Sequence, residues 1–525
     1  MAGRPAHVHR LVLAVALAGG VALTAPAAGH PSAGFAMAGV DRSPLVSVGK
    51  PHCQPGDPVE TGLQGQVPWQ DRLDGRAARG YRCNLSVIGE HRGYSFANFD
   101  TYRNCAYYSD NDGAIGTLAD TGTVVLDVSD PRHPVQTAYL TARAMRDAGE
   151  SLRVNARRGL LVADHYGLGH FDVDSYPWLG VYDVSHDCRH PVLLADVAMP
   201  HGRGHEGWFS PDGLVYYMSG VGSRTVTPVD LSDPAHPREL ATWPMIVHGG
   251  SISEDGSRGY LAEIGAPSEV LIVDTSDVAP GRPAAGRVIS RIPLPHNAFN
   301  QSTYRLDYAG HPYLVNFGES TTDFATRCTD PSATSFDSPR MIDLADELHP
   351  RVVATFVNEV DDPANCPLVA NDRTFWHSKG FGKGDFSYVL ASGLFMYDVH
   401  YCTPDRLHDP TILACATELS GLRVYDIRDP LRPREIAYDN TGTRGRYDPN
   451  VDVALARPVV RSDLGEIWWV TMFSGFHVAR FENGVWPFAG IDRCPGGHDY
   501  LQAQYDLGYA ACRAAHRGVT APGSP

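Results

Sequence analysis

One phrase recurs along the chain and limits what it can fold into: apolar-x-apolar-Asp-apolar-Ser-Asp-Pro, with a second Pro shortly after. VVLDVSDPRHP starts at Val124, GVYDVSHDCRHP at Gly180 and TPVDLSDPAHP at Thr227. LIVDTSDVAPGRP starts at Leu271, RMIDLADELHP at Arg340 and RVYDIRDPLRP at Arg423. A degenerate seventh copy, FHVARFENGVWP from Phe476, keeps the strand and loses the Asp. In each full copy the alternating apolar residues predict a strand. Asp and Ser bond nearby backbone N–H groups and Pro restricts φ, so the strand ends in a tight turn. Asp183, Asp230 and Asp274 fall at intervals of about 45 residues, a repeat-protein period. The longer intervals predict loop insertions in units 2, 5 and 6.

A further β-rich run follows most turns, as in PVQTAYL, PVLLADVAM and PRVVATFV. A strand pair precedes the phrase, clearest over Arg153–His165, Gly207–Gly220 and Gly250–Ile264. Four strands per unit and seven units predict an all-β, seven-bladed β-propeller. High Gly (53) and Pro (39) contents suit many short strands and turns. A ring must close or leave exposed edges. Cys83–Gly89 (CNLSVIG) resembles an outer strand with no blade before it, and the last unit has only a weak outer strand of its own. The N-terminal strand is therefore expected to complete the last blade.

The ends of the chain set the compartment. Arg4 and Arg10 precede an apolar stretch from Leu11 to Ala25 and small residues through Ala28, the pattern of a secretory signal peptide. The predicted organisation is a signal peptide (1–28), an N-terminal extension (29–82), the propeller (83–487) and a C-terminal loop or tail (488–525). No other segment is apolar enough to span a bilayer. Ten cysteines fit a secreted, disulfide-bonded protein. Cys402 with Cys415, and Cys494 with Cys512, are the expected local pairs. The net charge of −16 disfavours nucleic acid or an anionic membrane as partner.

The strand-turn phrases, LIVD at Leu271–Asp274 among them, resemble the LVIVD repeat of bacterial β-propellers. GYRCNLSVIG and the Cys402/Cys415 spacing are similar to secreted actinobacterial members. The resemblance spans most of residues 83–481. It implies the propeller fold and export, and no particular reaction.

In a propeller, residues at the start of each innermost strand surround the channel mouth. These are Asn98 and Asp100, Glu150 and Ser151, His205 and Glu206, His248, Asn300 and Gln301, His400 and Tyr401, and Arg457. His205, His248 and His400 occupy equivalent positions in three blades. Imidazoles with a carboxylate suit a divalent transition metal or acid–base chemistry. The channel mouth, with His205, Glu206, His248, Asn300, Gln301, His400, Tyr401 and Arg457, is therefore the candidate site, with His205, His248 and His400 as candidate metal ligands. Weaker clusters are His165, His170 and Asp172–Asp174, and Trp376–Lys379. His133, His190, His236 and His349 all precede the turn Pro, which marks them as structural. Two functional expectations follow: an extracellular binding or scaffold protein for a glycan or protein ligand, or a His- or metal-dependent enzyme such as a polysaccharide lyase, hydrolase or oxidase.

Overall fold

The turn phrase is built on backbone hydrogen bonds. In a computed structural model, Asp127, Asp183, Asp230, Asp274, Asp343 and Asp426 each accept the backbone N–H two residues on, at 2.7 to 3.1 Å. The donor is main chain, which explains why Ala345 and Arg428 replace the Ser without loss of the turn. The second Asp of the phrase repeats the device and also holds the following His. Nδ1 of His133, His190, His236 and His349 lies 2.8 to 3.0 Å from the carboxylates of Asp130, Asp187, Asp233 and Asp346. These four histidines are exposed rim residues with a local structural partner.

The structure describes residues 45–489 except 96, 111–120, 167–176, 266–267, 295–298, 320–337, 370–396, 446–447 and 463. The expected signal peptide, His170, Asp172–Asp174, Trp376–Lys379, Cys494 and Cys512 lie outside them. Seven antiparallel sheets form the blades of a β-propeller. The inner strands are Phe99–Tyr102, Arg153–Asn155, Glu206–Phe209, Val247–Ile252, Asn300–Tyr308, Tyr401–Pro404 and Val459–Arg461. Each phrase supplies the third strand of its blade, such as Gly122–Asp127 in blade 1 and Leu422–Asp426 in blade 6. The outer strands have one face to solvent: Val135 and Val192 are exposed. Among the described residues no helix is long and apolar enough to cross a membrane.

The ring closes through the N-terminal strand. Leu85–His91 pairs antiparallel with Gly475–Phe481, from Leu85 opposite Phe481 to His91 opposite Phe476. Closure also forms an apolar seam between blades 7 and 1, with Trp468, Val470 and Phe476 against Phe99, Tyr108 and Val124. Comparable seams join the other blades, such as Val162, Leu179 and Val181 with Tyr216, Met218 and Val229 between blades 2 and 3. Stability is thus held mainly between blades, where apolar faces leave water.

The segment before the clasp belongs to the propeller. Leu45–Ser47 pairs parallel with Arg351–Val357, adding a fifth strand to blade 5. Tyr81–Cys83 pairs antiparallel with Arg434–Asn440, adding a fifth strand to blade 6. Between them, Gln64 Nε2 donates to Glu435 Oε2 at 2.6 Å. Arg423 is buried against Glu435 at 2.8 Å and against Glu60. Burial, opposed by Arg423, raises the Glu60 carboxyl to about 6.

Three disulfides among the described residues pin the assembly. Cys53–Cys83 ties the segment to itself, Cys105–Cys188 joins blades 1 and 2, and Cys402–Cys415 joins the two inner strands of blade 6, as expected from the sequence.

Two outcomes follow. Gly89 lies in the clasp where an added Cβ would collide with the backbone carbonyl of Pro131 in blade 1, whereas Gly49 faces open space. Gly89→Ala should lower stability by about 1–3 kcal/mol and Gly49→Ala should leave it within about 0.5 kcal/mol, read from urea midpoints. The second concerns Asp439, buried 3.2 Å from Arg82, its carboxyl raised to about 6 by desolvation that Arg82 only partly offsets. The folded state therefore holds this proton more tightly than the unfolded chain, so stability falls as pH rises from about 4 through 6. Asp439→Asn should remove that contribution, improving stability at pH 7.5 relative to pH 5 by about 1.4 kcal/mol. An unchanged pH difference in urea midpoints would refute it.

Candidate functional site

The starts of the inner strands bring together residues distant in sequence. Glu150 and Glu206, just before or at the start of blades 2 and 3, form a parallel β-bridge, which sets their side chains beside each other. His248 reaches the same point from a bulge: the register of blade 4 shifts between Val247 and Gly250. Bulges redirect side chains in this way. Gly249 permits the approach, because an added Cβ there would overlap the Glu206 carboxylate.

The contacts are close. His205 Nε2 lies 3.0 Å from His248 Nε2. Glu150 Oε2 lies 3.2 Å from His248 Nε2 and 3.8 Å from His205 Nε2. Glu150 Oε1 lies 3.4 Å from His400 Nε2. Glu319 Oε2 lies 3.6 Å from His400 Nε2 and 3.9 Å from His248 Nε2. All five side chains are buried, with only His205 and Glu319 retaining about a tenth of their exposure.

The outer ring nitrogens are occupied. His248 Nδ1 lies 3.0 Å from Glu206 Oε2, and His400 Nδ1 donates to the Leu455 carbonyl at 2.6 Å. A hydrogen bond at Nδ1 fixes the ring and directs Nε2 inward, as partners of metal-bound imidazoles do. Glu206 is held in turn by Arg153 Nη2 at 2.9 Å. Glu150 accepts from Gln301 Nε2 at 3.1 Å and from the hydroxyls of Tyr401 at 3.2 Å and Tyr166 at 3.4 Å. The Tyr166 ring stacks on His205 with centroids 4.3 Å apart.

Electrostatics separate the three imidazoles. Burial, then the neighbouring His248, pushes His205 down to about 3, so its ring is neutral. Burial also opposes charge on His248 and His400. Around His248 it is outweighed by Glu150, Glu206 and Glu319, and around His400 by Glu150 and Glu319, so both are raised. The Glu150 carboxyl is lowered because His248, His400 and His205 outweigh its desolvation. A cavity that draws protons onto two imidazoles draws a metal cation by the same field.

The sequence-derived candidates divide accordingly. His205, Glu206, His248, Gln301, His400 and Tyr401 belong to the cluster. Asn300 does not: the register shifts between Asn300 and Ser302, and its side chain bonds the Glu269 carbonyl at 2.8 Å and Asn316 at 2.6 Å. Arg457 pairs with Asp100 at 2.7 Å and reaches the Tyr304 hydroxyl at 3.4 Å, a contact between blades. Asn98 donates to the Glu150 carbonyl at 2.8 Å, and Ser151 to the Asp164 carbonyl at 2.6 Å. His165 lies buried 3.7 Å from Asp147. Glu319 and Tyr166 escape a reading of the sequence, since neither sits at a repeat-equivalent position; Arg153 opens the inner strand of blade 2, and its role is hidden because its partner Glu206 comes from the next blade. Cys53, Asp57 and Cys83 also converge, but the two sulfurs are already joined.

The fold and site define a seven-bladed propeller with a buried His–carboxylate cluster at its channel mouth. No protein-family model and no curated protein matches the chain.

Glu206 sits between Arg153 and His248, so Glu206→Ala should leave a buried guanidinium unpaired and lower stability by about 3–5 kcal/mol. Glu206→Gln should cost markedly less. Equal unfolding midpoints for the two variants would count against this account of the pair.

Proposed function

We propose that this is a secreted, metal-dependent propeller of the LVIVD-repeat type, whose working site is a divalent transition-metal centre at the channel mouth. The observation that carries the reading is the inward convergence of three imidazole Nε2 atoms on Glu150, with His248 and His400 anchored behind by Glu206 and Leu455. Imidazole and carboxylate donors suit zinc, manganese, iron or copper. Such an ion supplies Lewis acidity, or redox chemistry if its identity allows. The partly exposed edge at His205 and Glu319 is the side from which a ligand enters. The three disulfides among the described residues support export, since such bonds persist in oxidising compartments.

A second reading is an extracellular binding or scaffold protein in which the cluster only locks the ring. Its support is that Glu150 is already served by Gln301, Tyr401 and Tyr166. Metal analysis separates the two. Protein purified without chelator and equilibrated with zinc, manganese, iron or copper should retain at least one of them. His205→Ala and His248→Ala should retain at least tenfold less, and Glu206→Gln should bind about 10–100-fold more weakly. A parent protein that retains no metal, or variants that match it, would overturn the metal reading.

A further inference from the structure

The donors exceed what one ion requires, and they fall into two sets. Glu150, His205 and His248 form one; Glu150, Glu319 and His400 form the other, with donor atoms in each set within 4.8 Å of one another. Glu150 belongs to both and turns a different oxygen to each. Its Oε2 faces His248 and His205, and its Oε1 faces His400. That is the disposition of a carboxylate bridging two cations.

Glu319 supplies an independent observation. It follows the second strand of blade 5, His311–Gly318, and is more than nine-tenths buried. Its nearest charged neighbours are His400 Nε2 at 3.6 Å and His248 Nε2 at 3.9 Å. Both neighbours are imidazoles, and no Lys or Arg side chain among the described residues pairs with it. A carboxylate so largely withdrawn from water and facing two imidazole nitrogens is stabilised by a cation held between them.

Resting on the metal reading above, we infer that the channel mouth holds two divalent ions bridged by Glu150, one on His205 and His248 and the other on His400 and Glu319, and that the filled pair binds an oxyanion. The anion follows from charge. With the imidazoles neutral, as metal ligation requires, Glu150, Glu206 and Glu319 against Arg153 leave two negative charges. One divalent ion neutralises them. A second leaves an excess of two positive charges, which a phosphate or carboxylate group spanning the ions would offset.

Manganese(II) is the probe, because its spin reports a neighbour. Chelator-stripped protein titrated with manganese should bind two ions per chain and show an exchange-coupled resonance in place of the isolated six-line signal. Glu319→Gln and His400→Ala should each bind one ion and give the isolated signal. Inorganic phosphate should bind at least tenfold more tightly to the two-manganese parent than to one-manganese Glu319→Gln. One uncoupled ion in the parent overturns the two-ion centre and leaves the metal reading intact. No bound manganese, zinc, iron or copper overturns both. Equal phosphate affinity in parent and Glu319→Gln overturns the oxyanion. The parent stoichiometry and signal need no variant, so they decide the two-ion centre even if His400→Ala folds poorly.

Discussion

The pairing of Leu85–His91 with Gly475–Phe481 joins the two ends of the propeller, and everything at the axis depends on it. Single blades have apolar faces on both sides and can bury them only against neighbours. Six seams between successive blades would still leave the faces of blades 1 and 7 in water. The clasp turns those faces into a seventh seam, where Phe99 meets Phe476 edge to face at 6.2 Å. It also sets the radius at which inner strands meet. Glu150, His205, His248, Glu319 and His400 come from different blades, and only a closed ring holds them within contact distance.

A channel lined this way is not the most stable choice. Buried ion pairs seldom repay their desolvation, and apolar residues of similar volume are commonly as good or better. The other seams are made of Val, Leu, Ile and aromatic residues, whereas the axis keeps three histidines, three glutamates and Arg153. Such concentration of perturbed ionisable groups at one point is characteristic of a working site. Arg423, Glu60 and Glu435 form a second buried charge group, but it lies where the N-terminal segment crosses blade 6 and binds chain to chain.

The architecture was legible because the turn phrase has a local cause. An Asp carboxylate two residues before a backbone N–H repeats wherever the same turn repeats, and the period follows from it. His205, His248 and His400 were legible for the same reason, standing at equivalent points of the period. What the period hides is the effect of irregularities. A bulge at Asn300/Ser302 sends Asn300 toward Glu269 while Gln301 meets Glu150. Glu319 follows a second strand, where no repeat position draws attention to it. Arg457 stands at a repeat-equivalent position yet is taken by Asp100. The fifth strands on blades 5 and 6 were equally hidden, since Leu45–Ser47 and Tyr81–Cys83 are too short to show alternation.

The order of the chain gives the closing arrangement a kinetic meaning. The segments around Leu45, Tyr81 and Leu85 are made early, yet their partners lie at Arg351–Val357, Arg434–Asn440 and Gly475–Phe481. Contacts spanning most of a chain carry a large loop-closure cost and slow folding. Until the last blade exists, Leu85–His91 has no strand to pair with, and the faces of blades 1 and 6 stay open. An incomplete chain therefore exposes several edges open to pairing with other chains. Arrival of the final blade supplies the last partner, so one N-terminal segment then covers an edge on each of blades 5, 6 and 7, and ring closure and protection against aggregation coincide.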